Sequence, residues 1–313
     1  MTILVTGSIA YDTIMVFPDR FRNHLLADQL HILNVCFLTP EMRREFGGTA
    51  GNIAYNLKLL GEDPLVMATV GEDIGPYIER LRRLGMRERH LKRIEGQFTA
   101  QAFITTDLDD NQITAFHPGA MNFSHENHVT RELGARLAII GPDGKEGMLQ
   151  HAREAAESGM QVLFDPGQGL PMFSARELDG LLQLADYIAV NDYEGKLLEE
   201  KTGRKLEDLA RRVKALIYTL GARGSVILTG GQRHEVPCVE AEAVVDPTGC
   251  GDAYRGGLLY GIAHGWDWPS TGKLGAVMGA IKIAKRGAQN HAASRDEIEA
   301  RFRRAFGYSP WKG

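Results

Sequence analysis

Short apolar runs closed by glycine, proline or asparagine recur along the 313-residue sequence, and helical patterns separate most of them. ILVTG at 3–7 is such a run, and TAGNIAYNLKLLG at 49–61 has helical spacing and ends in glycine. Strands joined by helical crossovers form parallel sheets with helices on both faces. The sequence therefore predicts an α/β fold with a central, mostly parallel sheet. The other strand candidates are 64–71, 136–142, 161–167, 185–191, 214–221 and 225–231.

Two regions interrupt this alternation. DTIMVFP and HILNVCFLT (31–39) are extended candidates with no helix between them, and residues 99–119 predict a β-hairpin whose turn is DLDDNQ. We assign these four strands to a small β lid, formed by segments of about 11–46 and 97–120 within one α/β domain over 1–313. The lid strands have unpaired edges, which sheet proteins tend to cover.

Composition narrows the classes of partner. The net charge of −4 provides no general field for nucleic acid or anionic lipid. The basic run RLRRLGMRERHLKR at 80–93 is interpreted as the solvated face of a surface helix rather than a nucleic-acid patch. No signal peptide opens the sequence, no run approaches the ~20 apolar residues of a membrane span, and the three cysteines lack metal spacing. We expect a cytoplasmic protein that binds a small molecule, not nucleic acid or a membrane.

The stretch VVDPTGCGDAYRGG at 244–257 places Asp252 in a glycine-rich turn where a helix should begin. The N–H groups of a first helical turn lack internal partners and, with the helix dipole, form an anion site. Gly249, Cys250 and Gly251 carry little bulk, so a phosphate can approach their backbone. A carboxylate there can accept a proton from a hydroxyl that attacks phosphorus. The alternative is that Asp252 only caps the helix.

D-P-T-G-C-G-D resembles the C-terminal signature of the ribokinase (PfkB) family of sugar and nucleoside kinases, whose last Asp is the catalytic base. The resemblance implies that Asp252 is the base and that the amides of 249–252 stabilise the transferring phosphoryl group. Cys250 replaces the common alanine. We expect it to contribute its backbone rather than a nucleophile, because a reactive thiol needs an activating base.

GGTAGN at 47–52 is similar to the family's N-terminal signature, and Asp12 follows the first strand as a family Asp does. The resemblance implies that Asp12, Gly47, Gly48 and Asn52 hold the hydroxyls of the acceptor. A carboxylate suits a vicinal diol, glycine lets the backbone approach, and an amide both donates and accepts. The alternatives are a turn aspartate and an ordinary loop before a helix.

NDYEG at 191–195 resembles the family's N-x-x-E motif. The resemblance implies that Asn191 and Glu194 position Mg²⁺ at the nucleotide phosphates, Glu194 through water, as sparse Mg²⁺ ligation allows. A helix cap at Asn191 is the alternative. Asp165, in DPGQG, would help to organise magnesium-bound water or else belong to a turn.

TLGARGS at 219–225 looks like the family's nucleotide loop, in which Thr219, Gly221 and Gly224 match the pattern. By itself this segment is an ordinary connection between strands. The resemblance also implies a monovalent-cation site, for K⁺, at Asp246 and Thr248, although not every family member has one.

The resemblance thus implies a single ribokinase-like α/β domain over 1–313 and an ATP- and Mg²⁺-dependent kinase that phosphorylates a primary hydroxyl. Because family members often dimerise lid to lid, it also implies a homodimer formed through the lid. Apolar and aromatic lid residues suit a flat base, and 99–122 lacks the Arg or Lys that a hexose phosphate requires, so we favour adenosine or a related purine nucleoside. These lid residues are Phe103, Phe116, His117 and Met121. A sugar kinase and a non-catalytic ligand-binding module on the same fold are the alternatives. VTGSIAYD lacks the glycines of a Rossmann dehydrogenase.

Overall fold

The computed structural model describes residues 1–25, 34–109 and 111–311. Its strands are β1 (Ile3–Thr6), β2 (Ala10–Val16), β3 (Glu41–Gly47), β4 (Leu65–Val70), β5 (Leu91–Arg93), β6 (Ala100–Thr106), β7 (Gln112–His117), β8 (Leu137–Ile140), β9 (Gln161–Phe164), β10 (Tyr187–Asn191), β11 (Ala215–Thr219), β12 (Ser225–Thr229) and β13 (Gln232–Val236). Its α-helices are α1 (Thr49–Leu59), α2 (Gly75–Arg83), α3 (Lys145–Glu157), α4 (Ala175–Leu184), α5 (Asp192–Thr202), α6 (Leu206–Ala210), α7 (Cys250–Ala263), α8 (Trp268–Ile283) and α9 (Arg295–Phe306).

The larger sheet has the strand order β13-β12-β11-β10-β9-β8-β1-β4-β5. The strands from β11 to β5 pair in parallel, and β12 and β13 add antiparallel partners at one edge. Both faces are buried: neighbouring Leu4 and Val5 of β1 point into different core layers. The predicted α/β fold with a mostly parallel sheet is confirmed.

The lid is a separate sheet with the order β3-β2-β6-β7. The predicted hairpin at 99–119 is present as β6 and β7, although residue 110 of its turn lies outside the described residues. The strand predicted at 31–39 is wrong over 34–39, which form no strand, and 31–33 lie outside the described residues. The strand is β3, EMRREFG, an edge strand that does not need an apolar sequence because much of it faces solvent.

The basic run at 80–93 is not one helix face. Helix α2 ends at Arg83, and Leu91–Arg93 form β5, a short charged strand parallel to β4 at the sheet edge. The helical interpretation of the second half of the run is therefore wrong. None of the described helices has the length and hydropathy to cross a membrane.

Candidate active site

Helix α7 begins directly after the glycine turn, as its sequence predicts. Gly249 has a φ of +78°, and a Cβ there would lie 2.8 Å from the Cβ of Ala288, so both backbone conformation and space favour glycine. The Ala253 N–H donates to the Gly249 carbonyl at 2.9 Å. The amides before it, of Gly251 and Asp252, precede the first intrahelical bond and point out of the helix start. The turn thus has the geometry of an anion site.

Asp252 lies in the first turn of α7, beside these amides. Asn52 on α1 donates from Nδ2 to Asp252 Oδ2 at 2.8 Å. Burial raises the pKa of Asp252 to about 7, although the hydrogen bond from Asn52 lowers it. A carboxyl group that titrates near neutral pH can take a proton from a hydroxyl and later release it.

Gln289 holds Asn52 in this orientation. Its Nε2 donates to Asn52 Oδ1 at 3.0 Å and to the Tyr77 hydroxyl at 2.7 Å, and Tyr77 donates to the Gly47 carbonyl at 2.8 Å. The amide nitrogen of Asn52 is thereby directed at Asp252. Asn52 was predicted to bind the acceptor, and in this structure its nearest functional partner is the candidate base.

The other predicted acceptor-binding residues lie together. A Cβ on Gly47 would come within 2.7 Å of Asp12 Oδ2, so the Asp12 carboxylate lies against bare backbone. Gly48 has a φ of +85°, and a Cβ there would lie 2.5 Å from the Ser8 carbonyl oxygen. Burial raises the pKa of Asp12 to about 6, with a further contribution from the charge of Glu45. Asp12 is also close enough to raise the pKa of Asp252, so the two candidate groups share one site.

Sequence reasoning missed Arg255, one turn after Asp252 on α7. Arg255 is 5% exposed, and its Nε and Nη2 donate to the two carboxylate oxygens of Asp165 at 3.0 and 3.1 Å. Its Nη2 also lies 3.8 Å from Glu194 Oε2. The only sequence signal was a charged residue inside the small, apolar run AYRGG. A buried arginine between two carboxylates joins α7 to the ends of β9 and β10.

Asn191 and Glu194 form a capping box at the start of α5. The Glu194 N–H donates to Asn191 Oδ1 at 2.8 Å, and the Asn191 N–H donates to Glu194 Oε2 at 2.7 Å. The alternative interpretation of Asn191 as a helix cap is therefore correct as a description of its contacts in this structure. Among the described residues, no group of three or more His, Cys, Asp or Glu could enclose a metal. Mg²⁺ bound through water and nucleotide phosphates needs only one or two carboxylates. Both oxygens of Asp165 accept from Arg255 and both oxygens of Glu194 accept from Asn191, so these carboxylates would act on the ion through its water and not as direct ligands.

The predicted nucleotide-binding residues lie at the carboxyl ends of β10 and β11. Asn191 and Thr219 are direct neighbours in the strand pairing, and Gly221 opens a 3₁₀ turn that ends before Gly224. Arg223, in the same turn, pairs with Asp192 at 3.2 Å on the surface. Ligands of open α/β sheets bind beyond the carboxyl ends of the strands, which is where these residues lie.

The predicted cation site at Asp246 and Thr248 is built differently from an open cage of oxygen ligands. Asp246 Oδ1 accepts from the Thr248 N–H and Oδ2 from the Gly287 N–H, both at 2.8 Å. The Asp246 carbonyl oxygen accepts from the ammonium group of Lys282 at 2.7 Å. An oxygen that already binds an ammonium group is a poor ligand for K⁺, so these residues do not fit the ion in this arrangement.

Cys250 contributes no reactive thiol. Burial raises its pKa to about 11, and its Sγ faces the carbonyl oxygens of Asp246 and Gly279 at 4.0 and 3.9 Å. The neutral thiol is a poor nucleophile. The Cys250 N–H donates to the Pro247 carbonyl at 3.1 Å in this structure, and the backbone role of this residue at the phosphoryl group stays a prediction.

Comparison with known proteins identifies the family of this chain. The model of the pfkB family carbohydrate kinases matches residues 12–295. The chain belongs to this family. PfkB enzymes are kinases, and this chain is accordingly a phosphotransferase that acts on a hydroxyl group. The resemblance drawn from the two signatures is confirmed.

Solved PfkB structures resemble the chain over nearly its whole length. A Burkholderia thailandensis nucleoside kinase in complex with inosine is 53% identical, with a TM-score of 0.90, and the match covers 99% of this chain and 100% of that one. The same enzyme with ADP and inosine is 54% identical, with a TM-score of 0.88 and coverage of 100% and 98%. A nucleoside kinase of Methanocaldococcus jannaschii is 32% identical over 271 residues, 86% of this chain and 89% of the relative.

Proposed function

We propose that this chain is an ATP-dependent kinase that transfers the γ-phosphoryl group to a primary hydroxyl of a purine nucleoside, adenosine or a related one such as inosine. The observation that carries the proposal is Asp252, a carboxyl group with a pKa of about 7 beside the free amides of a helix start. Support for a nucleoside acceptor comes from the relative that is 53% identical and was solved with inosine.

The proposed reaction begins with Asp252 accepting the proton of the attacking hydroxyl. The amides of 249–252 and the positive end of the α7 dipole stabilise the negative charge on the transferring phosphoryl group. Positioning and electrostatics supply most of the rate in such transfers. Asp12 and the backbone at 47–48 hold the ribose hydroxyls and direct the primary hydroxyl at Asp252.

The donor nucleotide binds at the carboxyl ends of β10 and β11. Asn191, Thr219 and the 221–224 turn contact it, and Arg255 keeps Glu194 and Asp165 in position beside the phosphates. Mg²⁺, held through water by these two carboxylates, would neutralise phosphate charge when bound.

The strand pairing of the lid supports one face of the lid sheet as the face that contacts the base. Asp12, Ala102 and Phe116 lie directly across from one another on β2, β6 and β7, so their side chains share one face of the lid sheet. Phe103 pairs with Thr13 and Ala115 and projects from the opposite face. The two aromatic lid residues therefore have different roles in the proposal: Phe116 forms the wall for a base whose ribose is held by Asp12, and Phe103 does not.

Steady-state kcat/KM for adenosine, inosine, guanosine, ribose and fructose 6-phosphate, measured as ADP release with wild-type protein, tests the proposal. We expect a purine nucleoside to exceed both sugars by at least about tenfold, the effect of some 1.4 kcal/mol of differential transition-state binding. A preference for ribose or fructose 6-phosphate would establish the sugar-kinase alternative. Binding of nucleoside without ADP release from any acceptor would establish the non-catalytic module.

A further inference from the structure

Lys282, in the last turn of α8, has a completely buried side chain. Its Nζ donates to the carbonyl oxygen of Asp246 at 2.7 Å and to that of Lys285 at 3.1 Å. Both acceptors are main-chain oxygens, which carry partial negative charge. A buried ammonium group is costly without such partners, so this arrangement is a built site and not a surface contact.

The two carbonyl groups belong to the two loops that meet at the start of α7. The N–H groups of Val245 and Asp246 donate to the Ile283 carbonyl at 2.9 and 3.1 Å, and the Gly287 N–H donates to Asp246 Oδ2 at 2.8 Å. Ala288, in the second loop, packs against Gly249. The position of the anion turn therefore depends on how these loops are held together, and Lys282 lies at their junction.

The charge of Lys282 also reaches the site. Burial lowers the pKa of Lys282, whereas the negative charges of the Asp246 and Asp252 carboxylates oppose that change. An ammonium ion is a compact point charge that binds carbonyl oxygens, as K⁺ does. Lys282 thus has the position, the ligands and the charge that a bound monovalent cation would have.

We propose that Lys282 is a positioning residue whose ammonium group takes the place of a monovalent cation beside the anion turn, so that the enzyme works without K⁺. This inference rests on the proposed function, because the loops it joins carry the candidate anion site. In this proposal the ammonium group of Lys282, which is covalently attached to the chain, has the role that was predicted for a K⁺ ion bound at Asp246 and Thr248.

The first test needs no variant. Turnover of wild-type protein is measured with its best hydroxyl acceptor while KCl replaces tetramethylammonium chloride at constant ionic strength. We expect kcat to stay within about twofold, because the ammonium group of Lys282 already supplies the positive charge that K⁺ would bring. Activation by K⁺ of about tenfold or more, equal to some 1.4 kcal/mol in the barrier, would overturn the proposal.

The second test compares Lys282→Met, Lys282→Arg and, as the matched control on the same helix, Lys273→Met. Lys282→Met should lose about 10²-fold in kcat, the loss that a misplacement of about 1 Å causes, and K⁺ or NH₄⁺ should restore part of it whereas tetramethylammonium should not. Lys282→Arg should retain more activity than Lys282→Met, and Lys273→Met should match wild type. A Lys282→Met enzyme with wild-type kcat, or one that neither K⁺ nor NH₄⁺ rescues although it is folded, would contradict the proposal.

If Lys282→Met does not fold, the wild-type KCl titration and Lys282→Arg decide the question. The acceptor is chosen by the wild-type rate, so a wrong assignment of the nucleoside leaves this test intact. Failure of the proposed function appears instead as a different ranking of acceptors, or as no ADP release from wild-type protein.

Discussion

At the scale of single residues, the assignment of Asp252 makes the sharpest prediction. Asp252→Asn keeps the shape of the side chain and removes its basicity, so kcat should fall about 10²–10⁴-fold, the range for loss of a general base. Nucleotide affinity, measured by ADP titration calorimetry, should change little. Asp208→Asn, an exposed aspartate on α6, is the control. Near wild-type kcat in purified Asp252→Asn would remove the base assignment.

The hydrogen bond from Asn52 predicts a pH effect. A base with a pKa of about 7 is active when deprotonated, so kcat/KM should rise with pH and level off above that value. The Asn52 hydrogen bond lowers the pKa of Asp252 because it stabilises the charged carboxylate. In Asn52→Ala the rising limb of the profile should therefore move to higher pH. A limb that stays in place, whatever the change in KM, would show that Asn52 does not tune the base.

At the scale of elements, Arg255 joins three pieces of the fold. It lies on α7, and its partners Asp165 and Glu194 follow β9 and β10. Arg255→Met should destabilise the protein by about 3–5 kcal/mol, because it leaves buried carboxylates without their counter-charge. The double variant Arg255→Met with Asp165→Asn should recover part of that loss. Chemical denaturation measures both, and a double variant less stable than the sum of the single variants would contradict the buried-pair explanation.

The lid register makes a paired prediction. Phe116 shares a face with Asp12, whereas Phe103 projects from the other face. Phe116→Ala should raise KM for a purine nucleoside about tenfold, as expected for about 1.4 kcal/mol of lost stacking contact, and leave KM for ATP unchanged. Phe103→Ala is the matched control and should leave both constants near wild type. Equal effects of the two variants would show that the register does not select the base wall.

The elements that the sequence predicted well are those whose burial imposes a pattern. Strands β1, β8 and β9 are buried on both faces and read as apolar runs, and α1 has helical spacing between its glycines. Strands β3, β5 and β13 were missed. All three are edge strands with exposed, charged residues. Because much of each strand faces solvent and not the core, its sequence lacks the apolar run that predicts a buried strand.

In the candidate site, too, some residues could be predicted from the sequence and others could not. Asp252 could be predicted because its glycine turn is local in sequence. The groups that position it could not, because their partners are distant along the chain: Arg255 lies 90 residues from Asp165, and Gln289 lies 237 residues from Asn52. Lys282 is hidden in an ordinary helical pattern, and only folding shows that its side chain ends between two carbonyl oxygens.

At the scale of the whole molecule, one end of the lid sheet exposes a row of mostly apolar side chains, although Tyr11 and Thr13 on the same face are buried. Met42, Met15, Thr105 and Ile113 lie in one register row across β3, β2, β6 and β7, and Met42 and Ile113 are 70% and 46% exposed. An apolar row of this kind on an exposed sheet supports the predicted homodimer through the lid, which stays a prediction.

Global stability should depend on pH through buried carboxyl groups, and Asp143 is the clearest case. It is 2% exposed, and burial raises its pKa to about 8, above the value of about 3.9 for an unfolded chain. The folded state therefore favours the protonated form: the stability that this contributes is complete below about pH 4 and is lost as the pH rises through 8.

Asp143→Asn keeps a neutral side chain of the same shape at every pH. Its melting temperature should already exceed that of wild type at pH 6, where the aspartate of the unfolded wild-type chain is ionised, and should exceed it by more at pH 9, by roughly 1–2 °C for each kcal/mol of penalty removed. Asp208→Asn, at an exposed site, should show no such divergence. Differential scanning calorimetry at the two pH values gives the comparison. A difference between Asp143→Asn and wild type that stays constant from pH 6 to pH 9 would mean that Asp143 titrates alike in the folded and unfolded chains.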